Sequence, residues 1–294
     1  AGEAAAGGGR VTARVAAIDV HGLRALRLVA GDGSSAVLVE QGAQVVSWRT
    51  ADGRERLYLS PRAQFAPGVA IRGGIPVVFP QFGGAGPLMR HGFARTAEWQ
   101  VGHAGSDATS TWAALHLVSS DATRRIWPHD FAATIELRLR ASSLELLLRV
   151  DNTGGDPLSF QAALHTYLAV DRVDNARVRG LQGRPYRDGI TGATHAAQAE
   201  PLLAVAGAID RIYLDVPPEL ALLQRGDTTT LTHHGFRDAV LWNPGPQACA
   251  AMADMPADGW QRMLCIEAAA VDPAVVLAPG QRWTGSQRIT CAAA

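Results

Sequence analysis

The sequence has no lysine: all of its positive charge, 27 residues, is arginine. That excludes Schiff-base catalysis, a pyridoxal-phosphate lysine and the lysine of a phosphate-binding P-loop. Any anion held by side chains must be gripped by arginine, whose planar fork suits phosphate and carboxylate, with histidine as the second donor. Cysteine is nearly as scarce. Cys249, Cys265 and Cys291 have no C-x-x-C spacing and cannot all be paired, so neither a disulfide framework nor a zinc site is expected, and reduced thiols in a cytoplasm fit best. No run reaches the roughly 18 apolar residues of a membrane span. The opening AGEAAAGGGR lacks the apolar centre of a signal peptide, and residues 1–10 read as a mobile tail. The 27 basic residues are balanced by 27 acidic ones without a basic cluster, which argues against a nucleic-acid partner.

What is present is apolar and strand-like. Of 294 residues, 47% are hydrophobic and 18% charged, enough for a sizeable core and too little charge for disorder. No linker or repeat interrupts residues 11–294, which read as one domain. Ile135, Leu137 and Leu139 alternate with Glu136, Arg138 and Arg140; after Ala141-Ser142-Ser143 the period of two resumes at Leu144, Leu146, Leu148 and Val150. That pattern predicts an antiparallel hairpin. Further strands are expected at Val37 to Trp48, Trp112 to Val118, Leu158 to Val170, Leu220 to Leu223, Ala239 to Trp242 and Met263 to Ile266, each bounded by turn residues. The best helical candidate, Pro201 to Ala208, is short. Many short strands without alternating helices imply an all-β sandwich or barrel.

Four constellations carry possible chemistry. Ile71-Arg72-Gly73-Gly74 leads into a segment with Pro76 and Pro80, followed by Met89-Arg90-His91-Gly92-Phe93-Ala94-Arg95. Paired glycines allow backbone to approach a ligand, the prolines fix the path, and Arg72 and Arg95 can bind one anion; the bland alternative is surface ion pairs. His165 interrupts the apolar run Phe160 to Leu168, either as a hydrogen-bonded core residue or as a proton-transfer group. Glu267 ends the run Met263 to Ile266, where burial would raise its pKa toward that of a useful base; the alternative is an edge glutamate in solvent. Asp210 sits beside Arg211, as an ion pair or as an acceptor for sugar hydroxyls. His233 and His234 are adjacent and face opposite ways on a strand, and His91, His103, His116 and His129 lack ligand spacing, so no metal is expected.

Taken in order, RGGIPVVFPQFG, MRHGFART followed shortly by EW, LHTYLAV, DRIY and CIE resemble the aldose 1-epimerase family, in particular its glucose-6-phosphate 1-epimerase branch, over roughly residues 20–290. The resemblance implies a large antiparallel β-sandwich of the galactose mutarotase-like type, no cofactor, and a hexose 6-phosphate as substrate of a monomer or weak dimer. By the same resemblance His165 is the catalytic histidine and Glu267 the catalytic glutamate. Arg72 and Arg95 hold the sugar phosphate, Asp210 binds substrate, and His91 and Arg90 join the binding set. Arg90 departs from the glutamine common in relatives and supplies a third cation. The implied chemistry is acid–base ring opening, with Glu267 taking the C1 hydroxyl proton and His165 protonating the ring oxygen. Alternatives are a mutarotase for unphosphorylated aldoses and a non-catalytic sugar-phosphate-binding protein. A glycoside hydrolase fits less well, because it needs two carboxylates flanking a bond.

Overall fold

The computed structural model describes residues 12–291; the N-terminal residues 1–10 lie outside them. The chain is an all-β protein; among the described residues it forms three sheets, and every pairing between their strands is antiparallel. A four-stranded sheet runs through Arg14–Val20, Leu23–Val29, Ser35–Val39 and Gln44–Arg49. A nine-stranded sheet has the order Leu202–Ala204, Arg177–Arg179, Glu219–Gln224, Asp227–His234, Arg282–Cys291, Ser143–Asn152, Phe131–Arg140, Thr111–Val118 and Gln100–Ser106. The eight-stranded sheet that carries the site runs Thr194–His195, Tyr186–Asp188, Ile209–Tyr213, Asp238–Asn243, Met263–Leu277, Leu158–Leu164 and Val77–Val78. Tyr167–Ala169 also pairs with Met263–Leu277.

The hairpin legible in the sequence is the centre of this packing. Ile135 faces Leu148, Leu137 faces Leu146 and Leu139 faces Leu144, all of them buried, while Glu136, Arg138 and Arg140 on the other face remain partly exposed. Burying each such aliphatic side chain contributes about 1.5–3 kcal/mol. They join one apolar cluster that includes Leu264, Ile266 and Ala268 of the eight-stranded sheet and Leu28, Leu38 and Trp48 of the four-stranded one.

Two sequence expectations are corrected. Pro201 to Ala208 is not helical: Leu202–Ala204 is an edge strand paired with Arg177–Arg179. Leu203 and Val205 are buried between exposed neighbours, a period of two that an all-apolar stretch does not reveal in its letters. Glu267 does not end a strand either. Met263–Leu277 continues ten residues past it, with Ile266 and Ala268 turned into the core and Cys265, Glu267 and Ala269 turned to the opposite face.

Candidate active site

Strand register gathers residues that are distant in sequence. Asp210 lies opposite Trp242, Trp242 opposite Cys265, and Cys265 opposite Tyr167, forming one row across four strands. In the neighbouring row Ile212 pairs with Val240 and Val240 with Glu267. His165 falls in the break between Leu158–Leu164 and Tyr167–Ala169, where its backbone N–H donates to the Pro76 carbonyl at 3.0 Å. Its Nε2 lies 3.3 Å from Glu267 Oε1. Both side chains open onto a cavity of about 870 Å³.

All seven residues singled out from sequence line that cavity: Arg72, Arg90, His91, Arg95, His165, Asp210 and Glu267. Asp210 and Arg211 do not pair with each other. They point to opposite faces of their strand, Asp210 into the cavity and Arg211 onto Asp188 at 3.4 Å and the Tyr186 ring. His233 is buried and His234 exposed, on opposite faces as their adjacency requires. Among the described residues no group of three His, Cys, Asp or Glu side chains is placed to hold a metal ion.

The paired glycines serve a different purpose from the one their sequence suggests. Gly73 and Gly74 have φ of +111° and +65°, and a Cβ on Gly74 would stand 2.1 Å from the Val45 carbonyl oxygen. They let backbone meet backbone, anchoring the Arg72 segment on the four-stranded sheet, rather than opening a path to a ligand. Gly74→Ala should therefore destabilise the fold by more than the roughly 1–3 kcal/mol of left-handed strain alone, read as a lower melting temperature.

Arg72 is held on two sides before any ligand arrives. Its Nε donates to Asp254 Oδ2 and its Nη1 to the Tyr167 hydroxyl, both at 3.1 Å, and these partners raise its pKa despite burial. Arg95 Nη2 donates to the Arg90 carbonyl at 2.7 Å, while its buried Nε has no partner among the described residues. His91 takes φ +68°, uncommon for a residue with a side chain, and its Nδ1 accepts the Gly83 N–H at 3.2 Å. Nε2 is thus its N–H donor. Burial, with Arg95, Arg90 and Arg72 adding repulsion, pushes His91 down to about 3, so it is neutral at pH 7.

The central pair is equally perturbed. Burial, reinforced by competition with the neighbouring His91 for a proton and by the Arg95 and Arg72 guanidiniums, holds His165 well below its ordinary value. Burial and the nearby Asp210 carboxylate hold Glu267 well above its own, against an opposing pull from Arg90. The cavity's own groups therefore favour a neutral imidazole beside a protonated carboxyl, one proton between two groups. Asp210 is itself raised, chiefly by burial.

Several further cavity residues carry no site signal of their own in the sequence, among them Tyr167, Trp242 and Arg187. Tyr167 stacks on the His165 ring at 4.8 Å and 12°, and Trp242 meets both rings edge-on. Tyr167 stands two positions after His165, a spacing that signals a shared face along a strand. Arg187, on the rim, pairs with Asp272. Asp254, the partner of Arg72, lies in a loop with no sequence signal at all.

By fold the chain is a galactose mutarotase-like β-sandwich. The crystal structure of "a putative mutarotase (YeaD)" from Salmonella typhimurium matches it with a TM-score of 0.88 at 28% identity, over 95% of this chain and 94% of that one. Residues 24–290 match the family model described as Aldose 1-epimerase, and the chain belongs to the aldose 1-epimerase family, a family of isomerases. A Cenchrus ciliaris protein named "Putative glucose-6-phosphate 1-epimerase" is 35% identical over 254 residues, 83% of this chain and 77% of its own length. A Salmonella typhimurium protein of the same name is 34% identical over 235 residues, 77% of this chain and 76% of its own.

Proposed function

We propose that this protein interconverts the α and β anomers of a hexose 6-phosphate, with His165 and Glu267 as the acid–base pair. The observation that carries the reading is a buried histidine–carboxyl contact of 3.3 Å in a cavity that also presents Arg72, Arg90 and Arg95. The relatives' name supports the phosphorylated substrate. Glu267 as carboxylate takes the C1 hydroxyl proton while His165 as imidazolium protonates the ring oxygen; the ring opens, C1 rotates, and closure reverses both transfers. The pair keeps a single proton throughout, passed between carboxyl and imidazole. Asp210 and the Nε2–H of His91 are read as partners for sugar hydroxyls, and Arg90 as a third cation.

Two-dimensional exchange NMR on glucose 6-phosphate tests the reaction and the substrate together. Anomer cross-peaks should grow with protein concentration and outpace those of glucose; exchange no faster than in buffer would refute the proposal, and equal rates would favour an aldose mutarotase. The free protein makes a second prediction: neither His91 nor His165 should titrate between about pH 5 and 8 when its imidazole is followed by carbon NMR. An inflection near the ordinary histidine value would contradict the depressed pair.

Among the described residues no helix is long and apolar enough to cross a membrane. The three cysteines are free and buried, which supports a cytoplasmic location, and we read the molecule as a monomer or weak dimer.

A further inference from the structure

Most histidines used for proton transfer are oriented through the nitrogen that faces away from the reaction, by a hydrogen bond to a carbonyl or carboxylate. His165 has no such partner among the described residues: its Nδ1 is buried and unbonded. Its ring is instead boxed in by aromatic surfaces. Tyr167 lies nearly parallel to it at 4.8 Å, Trp242 meets it edge-on at 5.9 Å, and His91 meets it at 5.5 Å and 75°. Of these only Tyr167 covers the imidazole face.

Tyr167 is itself held by backbone on both edges. Its N–H donates to the Gly74 carbonyl and its carbonyl accepts from Tyr58, both at 2.9 Å, while its register partner Cys265 sits two residues before Glu267. The backbone that carries the ring is thereby tied to the strand that carries the carboxyl. At the far end of the same ring, the hydroxyl accepts the Arg72 Nη1 hydrogen at 3.1 Å, and burial keeps that hydroxyl protonated. One side chain therefore touches the imidazole through its face and an anion-binding guanidinium through its oxygen.

We propose that Tyr167 is a positioning residue with two separable parts, the ring fixing the plane of His165 and the hydroxyl fixing the guanidinium of Arg72. The kinetic side of this inference rests on the proposed reaction; the structural side does not. Losing the hydroxyl should loosen the anion end alone. Losing the ring should free the imidazole to turn about its own axis and carry Nε2 away from the ring oxygen, where a displacement of about 1 Å can cost a hundredfold in rate.

Two variants read the parts separately. Tyr167→Phe should raise KM for glucose 6-phosphate about three- to tenfold, with kcat falling less than about threefold. Tyr167→Leu should lower kcat by about 10- to 100-fold, and the contrast between the two variants is a rescue by the aromatic ring. A purely structural role would instead lower kcat for both in proportion to the folded fraction, which circular dichroism monitors. Equal kcat for Leu and wild type, or equal kcat losses in Phe and Leu, would overturn the inference. Nitrogen NMR of His165 in substrate-free protein supplies a readout that needs no turnover. Wild type and Tyr167→Phe should show one sharp tautomer, and Tyr167→Leu a broadened or shifted signal. If wild type turns over no sugar phosphate, the proposed reaction fails while this arm still decides the positioning role; an unchanged Leu spectrum would reject that role.

Discussion

Glu267→Gln should slow anomer exchange on glucose 6-phosphate by about 10²- to 10⁴-fold and leave the melting temperature unchanged or higher. The amide keeps the shape of the carboxyl but removes a group that is 1% exposed and whose Oε2 has no partner among the described residues. The sign of the stability effect follows from linkage. With its folded pKa raised above its unfolded one, Glu267 keeps its proton in the native state after the unfolded chain has released it, so its contribution turns unfavourable as pH climbs above about 4.3. The gap in melting temperature between Glu267→Gln and wild type should therefore widen from pH 5 toward neutrality. His165→Ala should be about as inactive, and combining the two should cost little more than either alone, because acid and base act as a unit. A Gln variant that kept wild-type rates would remove Glu267 from the chemistry.

Replacing Arg95 or Arg72 with alanine should act on binding rather than on chemistry. In the proposed reaction the 6-phosphate is remote from C1, so contacts from these arginines would hold the ground state and the transition state alike. A lost charge-assisted hydrogen bond of about 1.5–3 kcal/mol corresponds to a KM about 10- to 100-fold higher, with kcat retained. Glucose, which lacks the anion, should be almost indifferent to either change. Steady-state kinetics on the two sugars decide this, and a fall in kcat at constant KM would contradict the assignment. Asp254 is a rival for the same guanidinium, so Arg72 is pre-aimed at the cost of part of its free charge, whereas Arg95 has a backbone carbonyl and no carboxylate as its partner among the described residues. Arg95→Ala should accordingly be the more damaging of the two.

The sequence revealed those parts whose physics is local. The Ile135 to Val150 hairpin announced itself because one face is apolar and the other charged, and the arginine-bearing loops because glycine and proline frame them. Pro201 to Ala208 hid its period of two, since leucine, alanine and valine stand at exposed and buried positions alike. The length of the Glu267 strand was hidden for a related reason: Ala268, Ala269 and Ala270 are buried on both faces and show no alternation. Gly73 and Gly74 were correctly singled out as sites of close approach, but the approaching group is the Val45 and Tyr58 backbone, which only tertiary structure supplies. Asp254 was invisible, because a lone aspartate in a loop becomes a partner of Arg72 only when two remote segments dock.

The strand order also dictates when, during synthesis, a working enzyme can exist. Arg282–Cys291 is inserted between Asp227–His234 and Ser143–Asn152, in the interior of its sheet rather than at an edge, and Met263–Leu277 is likewise flanked on both sides. A nascent chain released only as far as Asn243 would have the eight- and nine-stranded sheets split, with open edges on Leu158–Leu164, which leads into His165, and on Asp238–Asn243, the neighbour of the strand that carries Asp210. Residues 263–291 must be delivered before both sheets are continuous and imidazole and carboxyl can meet inside them, so assembly of the site and closure of these open edges go together.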